Sequence, residues 1–207
     1  GQQQGDVDGD QIVDLHDITA LADQWLNGPG GTADLVDHDG VNLSDYAVQA
    51  QNWLQGALLL TEFMAENKNY LADGNGTFSD WIEIHNQSGF PISLSGWYLT
   101  DDPNELQKWA FPDHLIIASN DYLLLFASGQ PDTSYPYRDS LGYYHTNFKL
   151  DTQGEYLALV RGTRIMHEYG PKYPHQSKNI SYGIGTESQT ETTWIAAEEM
   201  VRVLVPA

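Results

Sequence analysis

Ten aspartates occupy positions 6, 8, 10, 14, 17, 23, 34, 37, 39 and 45 of this 207-residue chain, and residues 1–54 hold no Glu, Lys or Arg. Glu suits the solvated face of a helix better than Asp, so an all-Asp set has another use. The short Asp side chain favours turns and cages for hard cations. Carboxylates about 5 Å apart repel by roughly 3 kcal/mol per pair at an effective dielectric near 20, which a divalent ion would reverse. The chemistry within reach of these residues is therefore calcium coordination.

Spacing sharpens that expectation. Residues 6–17 form a twelve-residue stretch with Asp at positions 1, 3, 5, 9 and 12. An EF-hand-type loop asks for side-chain oxygens at 1, 3 and 5, a backbone carbonyl at 7, a water held from 9 and a closing carboxylate at 12. Asp6, Asp8 and Asp10 fill the first three places, Ile12 offers the carbonyl, Asp14 the water and Asp17 the closure. Gln11 stands where a turn glycine is usual, and Val13 is expected to face the core.

The pattern recurs 28 residues on: Asp6 falls on Asp34, Asp17 on Asp45, Trp25 on Trp53 and Leu26 on Leu54. The second loop admits two registers. Twelve residues counted from Asp34 displace Asp37 and Asp39 by one; an insertion before Asp37 and a loss after Gly40 restore an Asp-x-Asp-Gly run. Both keep Asp45 as the closing ligand, so Asp34, Asp37, Asp39 and Asp45 are the ligands expected there, for a second calcium.

These loops need elements behind them. Ile18, Leu21, Ala22, Trp25 and Leu26 recur with helical period, as do Tyr46, Gln49, Ala50, Trp53 and Leu54. The spacing predicts two short amphipathic helices that bury these faces, and both Trp, against each other. Gly28-Pro29-Gly30-Gly31 is the expected turn between them.

Residues 5–26 and 33–54 together resemble a dockerin domain: two calcium loops, each with only its following helix. The resemblance implies docking onto a cohesin-like module through the residues just before each closing Asp, here Leu15, His16, Leu43 and Ser44. Clamping onto the adjacent domain is the other use open to it.

Composition shifts near residue 56, which sets the expected boundaries: a calcium-binding domain at 1–56, a second domain at 57–187 and a C-terminal strand or linker at 188–207. Strands are expected near 58–64, 79–86, 92–99, 114–118, 121–127, 155–160, 163–169 and 179–184. Breakers such as Asp73-Gly74-Asn75-Gly76 and Thr152-Gln153-Gly154 separate them. About eight strands at this spacing suggest an antiparallel β-sandwich. The fold class expected overall is mixed: a small helical EF-hand-like domain and an all-β sandwich.

Four ordered segments carry a second resemblance: Leu60 to Asn67, Asp80 to Asn86, Leu94 to Asp101, and His145 to Leu150 leading to Gly154-Glu155. Residues 57–187 resemble the lamin-tail domain in its bacterial secreted form. That implies an immunoglobulin-like sandwich without catalytic residues, with a role in binding or adhesion.

The residues themselves agree that catalysis is not expected. Alternation along 80–86 sends Asp80 and Glu83 to opposite faces, unlike a glycosidase pair. A Glu83–His85 couple reads as surface hydrogen bonding. The seven His are scattered, and no Ser sits in a GxSxG elbow. A net charge of -20 argues against binding nucleic-acid phosphates, and no apolar run comes near the length of a membrane span. Cysteine is absent, which leaves the compartment open.

Tyr135, Tyr137, Tyr143 and Tyr144 lie among Pro, Asp, Ser and His in residues 129–147. Such a loop stacks on sugars or anchors a protein partner, or its rings simply pack down a long loop. Val201 to Ala207 reads as a last strand running toward a further domain, in a chain cut from a longer protein. The expected function is a calcium-stabilised, non-enzymatic binding or assembly module, bacterial and secreted or surface-displayed, with a protein or a glycan as ligand. The alternative is a polysaccharide-binding accessory region of a larger secreted hydrolase.

Overall fold

The computed structural model describes residues 5–25, 29–35, 40–51, 53–184, 195–196 and 199–200. Two helices come first, α1 (Leu15–Asp23) and α2 (Leu43–Gln51). Strands follow: β1 (Leu58–Met64), β2 (Asp80–Asn86), β3 (Ile92–Ser93), β4 (Trp97–Thr100), β5 (Trp109–Ala110) and β6 (Ile116–Ile117). After them come β7 (Tyr122–Ala127), β8 (Tyr144–His145), β9 (Leu157–Arg161), β10 (Arg164–Tyr169) and β11 (Tyr182–Gly183). A small ribbon pairs β12 (Ile195–Ala196) with β13 (Glu199–Met200). The strand expected at 201–207 lies outside the described residues.

Most of the molecule is a β-sandwich. One sheet runs β11-β1-β2-β7-β8 and the other β10-β9-β4-β5, with β3 and β6 paired at the side. Alternation builds the core: Ile82 and Ile84 point inward from β2, whereas Trp81 joins Met64 and Phe126 in a small cluster on the other face. A bulge between Leu60 and Glu62 shifts the phase of β1, so Leu58, Leu60 and Phe63 all reach the core. Phe63, Trp97, Leu99, Phe111, Leu157 and Leu159 fill the space between the sheets.

Three details differ from the expected strands. The stretch 92–99 breaks at Gly96, whose φ of +75° suits a residue without Cβ, and its halves join different sheets. The two-residue strands β5 and β8 are too short to leave a periodic signal. The pairing of β7 with β8 is parallel rather than antiparallel.

The helical region also packs differently. Leu21 is buried with Val7, Ala33 and Val41, but Trp25 is 38% exposed, and Ala22, Tyr46 and Ala50 also lie at the surface. For Trp25 the cause is length. Each helix has nine residues, and α1 is capped at Gln24, so Trp25 lies past its end and off the expected face. Trp53 and Leu54 also lie beyond their helix and pack instead against the sandwich core.

That packing ties the two regions together. Val13 donates to Gln55 O at 3.0 Å and accepts from Leu54 N at 2.8 Å. Ile12 sits in the same apolar cluster as Leu54, Ala57 and Leu58. Arg161 Nη1 reaches Trp53 O at 3.2 Å. The first Asp loop is therefore stapled to the entry of β1.

Candidate metal centre and partner surfaces

The first loop is wound by its own carboxylates. Asp6 accepts from Gly9 N at 2.7 Å and Gln11 N at 3.1 Å, Asp8 from Asp10 N at 3.2 Å, and Asp10 from Ile12 N at 2.8 Å. These Asx-type bonds bring oxygens of Asp6, Asp8 and Asp10 within 4.8 Å of one another. Asp6 is buried, and Asp8 and Asp10 are exposed. Partial burial, together with the neighbouring charges of Asp8, Asp14 and Asp6, raises the Asp10 carboxyl above its ordinary range despite the Ile12 amide. Three hard oxygen donors at this spacing suit a calcium ion, and the Ile12 carbonyl is one more donor nearby in the chain.

Asp14 and Asp17 stand outside that trio. Asp14 caps α1, accepting from His16 N at 2.7 Å, and Asp17 returns the bond from Asp14 N at 2.7 Å, which makes a capping box. Asp17 also takes Val7 N at 2.5 Å and Asp8 N at 3.2 Å. Fully buried, its carboxylate draws both ends of the loop together.

The second loop repeats the frame 28 residues later. Asp45 accepts from Leu35 N at 2.5 Å and Asn42 N at 2.9 Å, matching Val7 and Asp14, and Asn42 Oδ1 takes Ser44 N at 2.7 Å, matching the cap on His16. Asp34 is buried and accepts from Gly30 N at 3.0 Å. Asp37 and Asp39 lie outside the described residues.

Leu15 and Leu43 open their helices in equivalent places and are 61% and 71% exposed. His16 and Ser44 beside them are exposed too. The four tyrosines separate into different settings. Tyr143 packs edge-on to Phe126, and Tyr144 is buried with its hydroxyl 3.0 Å from His114 Nε2. Tyr137 sits edge-on to His145 and takes a bond from Asn75 Nδ2. Tyr135 alone of the four is mostly free of the body, 46% exposed.

Glu83 and His85 do not pair: Glu83 accepts from Thr61 Oγ1 at 2.7 Å, and His85 stacks on Tyr122. One constellation went unread in the sequence. Ser128 Oγ lies 2.9 Å from His145 Nδ1, and His145 Nε2 lies 3.2 Å from Asp139. This is the Ser-His-Asp order of a nucleophilic triad with the two ring nitrogens exchanged, Nδ1 facing the serine and Nε2 the carboxylate. His145 also lines a cavity of about 10 Å³, room for one water. Asp139 also accepts from Gly74 N at 2.6 Å and from Leu141 N and Tyr143 N at 3.0 Å. The chain of bonds fastens two loops to the sheet. No sequence signal could have found it, because its three members are brought together by the fold alone.

A search of curated proteins returns no match. The family model of the lamin tail domain matches residues 54–172, more than half of the chain. The match covers β1 through β10, which is all of one sheet and the other except β11, and includes the Asn86 side chain that bonds Phe90 O, Ile117 O and Ala118 O. Lamin tail domains are immunoglobulin-like and non-enzymatic. The chain belongs to the lamin tail domain family.

Proposed function

We propose that this chain is a calcium-stabilised, extracellular binding and assembly module, with a dockerin-like N-terminal part and a sandwich that binds a protein or a glycan. The convergence of Asp6, Asp8 and Asp10 oxygens within 4.8 Å carries the reading. Ile12 O, Asp14 through a water, and Asp17 would complete the shell, and Asp34, Asp37, Asp39 and Asp45 would hold a second ion. Calcium near its extracellular concentration would keep such sites filled, which fits a secreted or cell-surface bacterial protein.

The exposure of Leu15, His16, Leu43 and Ser44 supports docking on an outside partner, cohesin-like in its apolar complementarity, more than a clamp onto the sandwich. The sandwich meets the N-terminal region through Ile12, Trp53 and Leu54 and leaves those four residues uncovered.

Thermal melts with calcium and with EDTA test the metal. A site holding its ion at 100 times the Kd adds about 2.7 kcal/mol to the folded state. Chelation is expected to lower Tm clearly, and Asp8→Asn combined with Asp10→Asn to remove most of that response. The proposal fails if EDTA leaves the melting curve unchanged.

A further inference from the structure

An open cleft of about 430 Å³ lies between the β4–β5 corner and the turn at 131–136, within the range of roughly 300–1,000 Å³ typical of small-molecule sites. Trp97 and Phe111, both buried, line its base, and Tyr98, Tyr135 and His114 line its sides. Asp113 lies at the same wall, its Oδ1 held by Ser95 Oγ at 3.0 Å. Behind it, the Tyr144 hydroxyl meets His114 Nε2 at 3.0 Å. Burial, then the nearby Asp113, Tyr144 and Tyr98, raises the Tyr135 phenol above its ordinary value, so it stays a neutral donor. These polar groups share the cleft with Tyr135, the most exposed of the four tyrosines of this loop.

We propose that this cleft binds a neutral saccharide, with the Tyr135 ring as its stacking face and Asp113, Tyr98 and His114 as partners for sugar hydroxyls. The chemistry selects that class. Phenol, imidazole and carboxylate together give and take hydrogen bonds, as a polyol requires. No Lys or Arg lines the cleft. With Asp113 there, and a chain charge of -20, an anionic ligand is repelled. Aromatic faces with a polar tip suit a ring that is apolar on its C–H side and wet at its edge.

The site deepens the reading of the sandwich as a binding module and is independent of the calcium loops. Titration of the full chain, in calcium, with maltotriose, cellotriose, xylotriose and chitotriose tests it by NMR shift, with trigalacturonate as the anionic control. At least one neutral trisaccharide is expected to give saturable shifts at Tyr98, His114 and Tyr135. Tyr135→Ala and Asp113→Ala should each weaken it by about tenfold or more, the loss expected when an anchor is truncated, with Tm unchanged. Tyr70→Ala, at an exposed tyrosine elsewhere, should leave it intact.

The inference is overturned if none of the four sugars shifts a resonance up to about 10 mM, about ten times the concentration that half-fills a site of about 1 mM Kd. It is equally overturned if the shifts persist in Tyr135→Ala or if trigalacturonate binds best. A melt that ignores EDTA would remove the metal and leave a sugar result standing, so the two readings fail separately.

Discussion

Asp17 and Asp139 are buried carboxylates held in the same kind of cage, each taking three backbone amides, and they differ in what else surrounds them. At Asp139, burial pushes the carboxyl up, but the Gly74 amide, His145 and the Tyr143 and Leu141 amides outweigh it and hold the group below its ordinary range. At Asp17, burial wins over its amides, and the nearby Asp8 adds to the rise. The sandwich brings its own counter-group in His145, whereas the loop surrounds its carboxylate with more carboxylates. The comparison extends to the apolar side. Among the described residues, Val7, Leu21, Ala33 and Val41, with Ala20 and Leu35 against them, form the apolar cluster of the helical region, while the sandwich has a continuous core between two sheets. The sandwich offsets the burial of its carboxylate from within, and the loop is where a cation would have the most to offset.

Ile12 is where the comparison breaks most easily, since it belongs to the loop by sequence and to the sandwich core by packing. Ile12→Ala should cost about 2–4 kcal/mol, as for other buried Ile truncations, and lower Tm by about 5–15 °C for a chain of this size. Differential scanning calorimetry with calcium present checks it. A single transition that moves as a whole is expected. A split melt, with the sandwich transition unmoved, would mean that the loop is an appendage rather than part of the same cooperative unit.

A carboxylate inside the sandwich supplies the control for the charge argument. Burial pushes Asp80 up to about 6, against the lowering effects of the Asn67 and Leu150 amides and of Lys68 and Lys149. A carboxyl raised above its unfolded value of 3.8 stabilises the fold at low pH and loses that contribution as pH rises through about 6. Because Asp80 is only half-buried, solvent screening reduces the effect to about 1–2 kcal/mol. Wild type should therefore lose more stability between pH 4.5 and 7.5 than Asp80→Asn, as read by denaturant melts. Equal slopes would show that burial alone does not make a carboxylate costly here.

How far each region was legible in the sequence follows from the same contrast. Sandwich strands announce themselves by period, so Ile82 and Ile84 inward and Trp81 outward could be read off directly. β5 and β8 could not, because two residues carry no period, and the triad-like set of Ser128, Asp139 and His145 depends on loops meeting in space. Spacing singled out Asp6, Asp8 and Asp10, whose oxygens lie within 4.8 Å of one another, while Asp14 and Asp17 engage amides. The packing of the helices was misjudged at Trp25, because periodicity marks a face but not where the helix stops. Tyr98, Asp113 and His114 were invisible as a site; they lie far from Tyr135 in the chain, and only the fold gathers them.

The smallest effect separates the regions by backbone alone. Gln11 holds φ at +72°, the left-handed conformation that the loop needs at its sixth position, while the sandwich gives its comparable turns at 120 and 179 to Asn. An L-residue other than Asn, Asp or Gly loses roughly 1–2 kcal/mol there, and the greater freedom of unfolded Gly offsets roughly 0.5–1 kcal/mol of any gain. Gln11→Gly should keep the amide bond to Asp6 and stabilise by about 0.5 kcal/mol, a rise in Tm of about 1–2 °C. Asn120→Gly, where Asn already tolerates φ of +55°, should change Tm by less. If the two glycine variants shift Tm equally, strain at Gln11 is not a property of the loop, and the charge of its aspartates alone sets it apart from the sandwich.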